Sequence, residues 1–541
     1  MSSGSPRSAG RPRRRPRSSG SRSRTVDPAR DLAFTVLRRV FGEGAYANVA
    51  LNEALSQERL VGRDARFVTA LVDGVCRWQG TYDAIIEAAG GRALGTLQPS
   101  VVDLLRLGAH EILGLRVPIA AAVTTTVDLA ALRVGERVTG VVNAILRKVA
   151  AHDLDGWIAE LGPGRDGIDR LALATAHPRW IAEVYTGLLG GDEARLALEA
   201  NNEPAPTTLA VRPGLMTIDD LIAEINALGS DPFAQRERSI SIDSPTDSPL
   251  GSSIQEKRGD EDPREDEPEE DVTESREGEA GKDNADGPSV AGPGAASPGR
   301  WSPLAVTITG DPGRLAAVRE GRAGVQDEGS QLMALALARL DAPAGPWLDL
   351  CAGPGGKAAL LAGFAHERGD WLLANERHPH RAALVAQAVR SYPFPVPVVA
   401  GDGTRPTWRE GSFARVLVDA PCTGLGALRR RSDARWRKTP GDLSELHDLQ
   451  VRLLDVALDS LVPGGVAAYV TCSPHPVETV DVVAEVLAQR DDVELLDASD
   501  LFDGVPGAAR GEAGSDFGPY AQLWPHRHGT DAMFGAFLRR Q

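Results

Sequence analysis

Two cysteines stand in short loop-like segments that directly follow apolar stretches of strand length. Cys422 lies in "VDAPCTG" after "FARVLVDAP", and Cys472 lies in "VTCSPHPVE" at the end of "GGVAAYVTC". Structural cysteines are usually buried within an element, whereas thiols at loop tips are accessible to reactants. Because a thiolate is a strong nucleophile and a thiol can exchange a proton, the pair predicts covalent or acid–base catalysis.

A third segment, "LDLCAGPGGK", runs from an apolar strand into a glycine-rich turn and then an Ala/Leu-rich helix. Gly353, Gly355 and Gly356 let the backbone approach a ligand closely, and the amides of the following helix face it. The spacing matches neither GxGxxG nor GxxxxGK[ST], because Lys357 is followed by Ala358. The segment therefore predicts a small-molecule site that is neither a dinucleotide fingerprint nor a P-loop.

Acidic residues end the next two apolar stretches. Glu376 ends "WLLANE", where an acid can accept hydrogen bonds from ribose hydroxyls, and Asp402 in "AGDGT" can meet an adenine edge or amino group. Each acid taken singly is equally well explained as a loop cap. The series of strand ends that each carry a polar side chain is what favours a ligand site.

The combination of "DAPC" and "TCS" after "DLCAGPGGK" resembles the RNA 5-methylcytosine methyltransferases. Nearly all of residues 27–541 resembles the bacterial 16S ribosomal RNA cytosine-5 methyltransferases of the RsmB (Sun/Fmu) type. Residues 27–152 resemble the NusB-like helical RNA-binding domain of that family, and "VQDEGSQL" matches the start of its catalytic domain. An arginine-rich tail, a long acidic stretch and a histidine-rich C-terminal segment depart from the family.

The resemblance implies S-adenosylmethionine as methyl donor, C5 of a cytosine in 16S ribosomal RNA as acceptor, and a covalent adduct at C6. It implies that Cys472 is the nucleophile and that Cys422 helps to release the product. The opposite assignment stays open, because DNA cytosine methyltransferases attack from a Pro-Cys motif.

The resemblance also implies which residues bind the cofactor. They are Cys351, Ala352, Gly353, Pro354, Gly355, Gly356, Lys357, Glu376, Asp402 and Asp419. Of these, Glu376 is expected at the ribose, Asp402 at the adenine, and Asp419 beside both the cofactor and the cytosine edge. Lys357 adds positive charge, and Cys351 is expected to act through its backbone and packing.

The segment "LRRRSDARWRK", residues 428–438, follows Cys422 closely. Its basic residues alternate with Trp436, a pattern that suits phosphate contacts and stacking on an unpaired base. A solvated basic loop is the alternative.

His475, His526 and His528 lack the partner spacing of a metal site, so no metal is expected.

The fold class expected is multidomain: an all-α NusB-like domain, a small α/β domain that resembles an RNA-recognition motif, and a Rossmann-like class I methyltransferase domain. Apolar periodicity predicts helices before residue 152, with Cys76 as a buried structural thiol, and alternating strands and helices later form a seven-stranded sheet. The expected ranges are a disordered Arg-rich tail at 1–25, the helical domain at 26–152, the small domain at 153–310 with a disordered acidic insertion at about 235–300, and the catalytic domain at 311–541.

Composition narrows the class of protein further. The net charge is −16, the four cysteines form no CxxC pair, and apolar runs are too short to span a membrane. These features predict a cytoplasmic protein with no membrane as partner. The resemblance implies RNA, and not DNA, as the partner, and a monomer is the default.

Three alternatives remain for the function. The same reaction on transfer RNA or another ribosomal RNA site uses the same motifs. A non-catalytic RNA-binding assembly factor would not need the paired cysteines and cofactor glycines, and a Rossmann-type dehydrogenase would carry the dinucleotide fingerprint.

Overall fold

The computed structural model describes residues 26–60, 62–229, 295–509 and 519–541. The predicted arginine-rich tail and most of the predicted acidic insertion lie outside the described residues. The chain forms two compact units: one runs to Leu198 and also contains Arg431–Arg437, and the other contains Glu199–Arg430 and Lys438–Gln541.

The first unit is helical, as predicted. Its helices are α1 (Pro28–Glu43), α2 (Ala47–Glu58), α3 (Gly62–Gly90), α4 (Pro99–Ala109), α5 (Ile119–Arg133), α6 (Glu136–Val149), α7 (Leu154–Leu161), α8 (Gly167–Ala174), α9 (Arg179–Leu189) and α10 (Gly191–Ala200), and α4 continues into a π-helical turn, His110–Gly114. The Asp27 side chain caps α1 by accepting from the Ala29 and Arg30 amides, with Pro28 at the first helical position. Cys76 is fully buried in this core, which confirms its predicted structural role.

The helical unit is longer than expected. Helices α7 to α9 follow residue 152 and belong to the same compact unit, so the predicted change to α/β structure at 153 is wrong. The α/β structure begins only with the strand at Thr207. The misplacement has a physical cause: α7 and α8 are only 8 residues long each, so their periodicity covers about two turns and does not reveal the core they join.

A small antiparallel sheet opens the second unit. Its elements are β1 (Thr207–Val211), α11 (Ile218–Gly229), β2 (Ala296–Pro298), β3 (Ala305–Ile308), α12 (Ala316–Arg319) and β4 (Ala323–Val325). The strand order β2–β3–β1–β4 and the βαββαβ chain order are those of ferredoxin-like domains, which agrees with the predicted resemblance to an RNA-recognition motif. Strand β4 lies beyond the predicted boundary at 310, and β2 lies within the range assigned to the insertion.

A mixed sheet forms the rest of the second unit. Its elements are α13 (Glu328–Arg339), β5 (Trp347–Asp349), α14 (Gly356–Glu367), β6 (Leu372–Glu376), α15 (Pro379–Val389), β7 (Val398–Ala400), β8 (Phe413–Asp419), α17 (Asp442–Asp459), β9 (Leu461–Thr471), α18 (Val480–Ala488), β10 (Val493–Leu496), β11 (Ala521–Gln522), α19 (Pro525–His528) and β12 (Phe534–Arg540). Helix α16 (Ala434–Arg437) belongs to the helical unit. The main order is β10–β12–β9–β8–β5–β6–β7, and β11 pairs with β12.

The seven predicted strands of this sheet are confirmed, and the two-residue β11 is an addition. Strands β5 to β9 pair in parallel, whereas β12 is antiparallel to β9 and β10. Because β6 and β8 flank β5 on opposite sides, the strand order reverses there, and the carboxyl ends of β5 and β8 open a crevice of the kind that holds ligands. Within the described residues, no helix has the length and apolar character needed to cross a membrane.

Candidate active site

The two strand-tip cysteines meet. Strands β8 and β9 are parallel and pair Asp419 with Val470, so the loops that follow them leave the same edge of the sheet together. The Sγ atoms of Cys422 and Cys472 are 3.4 Å apart, and both residues are partly exposed. The Gly426 amide also donates to the Cys472 carbonyl at 2.8 Å, which joins the two loops through their backbones.

The thiols of Cys422 and Cys472 are close enough to share a hydrogen bond, in which either sulfur can be the donor. The contact with Cys472, together with burial and the negative charges of Cys472 and Glu478, raises the pKa of Cys422 well above its ordinary value. The raised pKa favours the thiol form of Cys422. A thiolate at Cys472 is the form that attacks an electrophile.

The glycine-rich turn leaves no room for side chains. A Cβ at Gly353 would lie 2.2 Å from Glu376 Oε2, and Gly355, with φ of +111°, faces Ala388 and Val385. The Gly353 amide donates to Glu376 Oε2 at 3.0 Å, so this acid holds the turn that it was expected to face. The turn leads directly into α14, and no side chain caps the first amides of this helix.

Lys357 and Asp419 connect the turn to the cysteine loops. Lys357 Nζ donates to Asp419 Oδ2 at 2.8 Å, and the lysine side chain is only 9% exposed. Burial by itself lowers the pKa of Lys357, but Asp419, with help from the charges of Cys472 and Asp349, raises it above its ordinary value. The fixed ammonium charge in turn stabilises a thiolate at Cys472.

Comparison with known protein families divides the chain in the same way. Residues 27–151 match the NusB family, and residues 334–539 match a family described as 16S rRNA methyltransferase RsmB/F. A putative methyltransferase of Mycobacterium tuberculosis is 43% identical over 97% of this chain and 99% of its own length. The chain belongs to the RsmB/F methyltransferase family. It is an S-adenosylmethionine-dependent RNA methyltransferase with an N-terminal NusB-like domain.

More distant relatives of this RsmB/F protein also align along most of their length. Proteins named ribosomal RNA small subunit methyltransferase B include a probable one from Synechocystis, 27% identical over 95% of this chain and 99% of its own length. Another, from Vibrio cholerae, is 26% identical over 95% of this chain and 97% of its own length. The crystal structure of PH0851 covers 95% of this chain and 100% of its own, with a TM-score of 0.68 and 20% identity, which shows a shared fold.

A buried acid that the sequence analysis did not select supports the fit of the cofactor. Asp349, at the end of β5, is fully buried, and no side chain in the described structure donates a hydrogen bond to either of its carboxylate oxygens. Burial and the charge of Asp419 raise the pKa of Asp349 to about 8, although Lys357 acts in the opposite direction. A cationic ligand in the crevice would relieve this cost, and S-adenosylmethionine carries both an ammonium and a sulfonium.

Asp349 could have been found by the reasoning applied to the other acids, since it is also an acid at a strand end. Its position before the glycine-rich turn, at the end of an apolar stretch, makes it resemble an ordinary strand residue. By contrast, Asp402 accepts from both the amide and the hydroxyl of Thr404, so it caps its own loop. Those bonds lower the pKa of Asp402.

Cys351 follows β5 and packs against the sheet core. Burial, reinforced by the charges of Asp349 and Asp419, raises the pKa of its thiol well above the ordinary value. It therefore stays protonated, as its predicted packing role requires. Its neighbour Ala352 donates its amide to the Asn375 carbonyl at 2.8 Å, and the Gly353–Pro354 bond is cis.

The basic segment after Cys422 is not the exposed RNA-binding loop that the sequence predicted. Trp436 donates its ring N–H to the Cys76 carbonyl in α3 at 2.8 Å, and Arg435 is completely buried and donates to the Ala176 carbonyl at 2.9 Å. Arg437 donates to the carbonyls of Gly44 and Ala45. The segment anchors itself within the helical unit, so its ring is not free to stack on a base.

The two arginines that precede this segment also form hydrogen bonds or ion pairs. Arg430 donates to Asp327 at 2.8 Å and lies 3.3 Å from Asp531, while Arg429 donates to the Gly529 carbonyl at 2.7 Å. Among the described residues, no group of three or more histidine, cysteine or acidic side chains is arranged to hold a metal. His528 bonds within its own region, to the Trp524 amide and the Pro506 carbonyl.

Proposed function

We propose that this RNA methyltransferase modifies C5 of a cytosine in 16S ribosomal RNA through a covalent bond between Cys472 and C6 of the base. The observation that supports the proposal most directly is the 3.4 Å contact between two thiols beside the cofactor crevice. A methyltransferase acting on a nucleophilic nitrogen or oxygen would not need two thiols. Cytosine C5 is a poor nucleophile, and addition of a thiolate at C6 activates it.

The residues around the crevice divide the work. When bound, S-adenosylmethionine supplies an electrophilic methyl group on a positively charged sulfur. The turn at residues 351–357 and Glu376 hold its nucleoside and amino-acid parts, and Asp349 faces its positive charge. Asp402 is the proposed contact on the adenine side. Lys357 fixes Asp419 where it can meet both the cofactor and the cytosine edge.

Cys472 Sγ bonds to C6, and C5 becomes nucleophilic. After C5 has received the methyl group, the C5 proton must leave and the Sγ–C6 bond must break. Cys422 is the proposed proton acceptor. Its pKa is high because of the hydrogen bond and negative charge of Cys472, and both influences disappear once Cys472 is bonded to carbon. The pKa of Cys422 then falls, so its thiol can release its proton to solvent, and the resulting thiolate accepts the C5 proton as the Sγ–C6 bond breaks.

The proposed substrate rests on the family and on the names of its relatives, which refer to the small ribosomal subunit. The target cytosine must be unpaired or flipped out, because C6 attack from a loop thiol requires access to a face of the ring. We assign RNA binding to the NusB-like residues 27–151 and to the ferredoxin-like sheet. A cytoplasmic location is proposed with the ribosomal substrate. The same chemistry on transfer RNA or another ribosomal site is the second candidate.

Purified protein should be incubated with methyl-labelled S-adenosylmethionine and unmodified 16S ribosomal RNA, with 23S ribosomal RNA and transfer RNA in parallel. The expected result is label in 16S RNA that co-migrates with 5-methylcytidine after digestion. Label only in transfer RNA or 23S RNA would contradict the substrate. Label on any atom other than C5 would contradict the chemistry, and neither result would change the fold or the family.

A further inference from the structure

A buried glutamate joins the two cysteine loops. Glu478 follows Cys472 by six residues, in the short turn before α18, and is completely buried. Its Oε1 accepts from the Thr423 amide at 2.7 Å, and its Oε2 accepts from the Thr423 hydroxyl at 2.5 Å. The chain that carries the nucleophile therefore holds the residue directly after Cys422.

Residues on both sides of Cys422 are held by the same cluster. Gln450 Nε2, from α17, donates to Glu478 Oε1 at 3.3 Å and to the Pro421 carbonyl at 2.8 Å. Pro421 and Thr423 flank Cys422, so the loop is fixed immediately before and immediately after the thiol. Two of these bonds are made by the loop backbone, through the Thr423 amide and the Pro421 carbonyl, so they position Cys422 without contacting its Sγ.

Glu478 is itself fixed to the strand that leads to Cys472. Tyr469 in β9 donates its hydroxyl to the Glu478 carbonyl at 2.8 Å, and the Ser473 hydroxyl lies 3.3 Å from the Thr423 hydroxyl. A buried carboxylate is costly unless several donors satisfy it, and here two of the donors belong to Thr423 in the opposite loop and one to Gln450 in α17. The cluster therefore couples the two loops more directly than apolar packing would.

We propose that Glu478 is a positioning residue whose carboxylate sets Cys422 against Cys472. Its effect on turnover rests on the proposed covalent function, but its effect on the pairing of the thiols does not require RNA. The proposal predicts that loss of the carboxylate separates the thiols while the cofactor side of the crevice keeps its structure. Cofactor affinity and thiol pairing are therefore measured independently.

Thiol pairing is measured as the effective concentration of Cys422 at Cys472, from the equilibrium with reduced and oxidised glutathione. One disulfide forms as one oxidised glutathione is reduced to two thiols, and peptide mass spectrometry identifies the pair. The variants are Glu478→Ala, Glu478→Gln and Thr423→Val, with Glu485→Gln as matched control. Glu485 is an exposed glutamate on α18 that accepts from His447.

Glu478→Ala is expected to lower the effective concentration by about tenfold or more, because the loop loses both of its anchors. Glu478→Gln is expected to stay within about threefold of the wild type, since its carbonyl can still accept from Thr423 and its amide can donate to the hydroxyl. Thr423→Val keeps the amide bond and should fall between the two. Glu485→Gln should match the wild type.

Methyl transfer supplies the second measurement. Glu478→Ala should lower kcat at saturating RNA by about tenfold or more, while the Kd for S-adenosylmethionine changes by less than about twofold. Glu478→Gln should recover most of kcat. An unchanged effective concentration in Glu478→Ala would overturn the proposal. If Glu478→Ala does not fold, an unchanged effective concentration in Thr423→Val would overturn it. If the thiols separate in Glu478→Ala but the wild type makes no 5-methylcytosine, the positioning role of Glu478 would be upheld and the proposed function refuted.

Discussion

The sulfur atoms of Cys422 and Cys472 are close enough that the charge on one controls the proton on the other. Contact with Cys472 is the largest cause of the raised pKa of Cys422. Cys472→Ala should therefore lower the pKa of Cys422, so that its thiolate forms at lower pH than in the wild type. The pH dependence of iodoacetamide alkylation at Cys422, followed by mass spectrometry, measures this. The same alkylation midpoint in both proteins would show that the thiols are not coupled.

Asp349 predicts a pH dependence of stability. An unfolded aspartate ionises near pH 4, whereas burial raises the pKa of Asp349 to about 8 in the folded protein. Between these values the folded state holds a proton that the unfolded state has lost, so the free energy of unfolding falls as pH rises. In Asp349→Asn this contribution is absent. The Tm of the variant relative to the wild type should thus increase from about pH 5 to about pH 8, at roughly 2–4 °C per kcal/mol.

The same substitution should weaken cofactor binding, because the amide cannot neutralise a cationic ligand. Isothermal titration with S-adenosylmethionine at pH 8 is expected to give a Kd raised by about tenfold or more, in line with the loss of a buried charge interaction. Glu485→Gln serves as the control for a surface acid. If Asp349→Asn changes the pH dependence of stability but leaves the affinity for S-adenosylmethionine unchanged, then Asp349 affects folding stability and does not contribute to cofactor binding.

At the scale of single residues, the sequence shows which residues belong to the site more reliably than it shows what each of them does there. The cysteines, the glycines and Lys357 are recognisable because their types are unusual at strand ends. Asp349 and Glu478 escape notice because their significance depends on complete burial, and burial arises from tertiary packing. Asp402 is the opposite case, because the sequence pattern selects it, whereas its bonds to Thr404 are those of an ordinary loop cap.

At the scale of elements, the strands of the methyltransferase sheet are predictable because long apolar runs separated by turns have few other structures available. The segment Arg431–Arg437 is not predictable in this way. A basic and aromatic pattern is typical of RNA contacts, but equally of an anchor whose aromatic ring and aliphatic stems are buried. Trp436 and its acceptor Cys76 are 360 residues apart, so no local pattern distinguishes these cases.

The anchor predicts a steric effect inside α3. A Cβ at Gly80 would lie 2.3 Å from the Trp436 ring, so Gly80→Ala should displace the ring and destabilise the helical unit by roughly 1–3 kcal/mol. The control is Gly140→Ala in α6, where nothing lies within 4 Å and where alanine should stabilise by roughly 0.5–1 kcal/mol. Thermal unfolding followed by circular dichroism measures both. Equal Tm changes of the same sign would contradict the anchored position of Trp436.

At the scale of the whole molecule, the sequence predicts the three kinds of folded domain but misplaces their limits. The helical unit continues to Leu198, and the ferredoxin-like sheet is completed only by β4 at Ala323–Val325. Strand β4 has three residues, and its assignment depends on pairing with β1, more than 100 residues earlier. Short edge strands of this kind carry too little periodicity to be placed from sequence.

The overall charge of −16 does not prevent RNA binding, because local basic surface and not net charge neutralises phosphates. If local basic surface neutralises phosphates, the logarithm of the binding constant should fall linearly with the logarithm of salt concentration, with a slope of about −0.7 for each phosphate contacted on single-stranded RNA. Filter binding of unmodified 16S RNA across a potassium chloride series tests this. Affinity independent of salt would contradict phosphate-dominated recognition.

The covalent role of Cys472 is tested most directly by trapping the adduct. Cys422→Ala protein, incubated with S-adenosylmethionine and unmodified 16S ribosomal RNA, should give a species that survives denaturing electrophoresis and carries both RNA and protein, because methylated RNA cannot be released. The double variant Cys422→Ala/Cys472→Ala should give none. An adduct in the double variant would show that neither thiol is the attacking group, and an adduct that forms in Cys472→Ala but not in Cys422→Ala would reverse the roles of the two thiols.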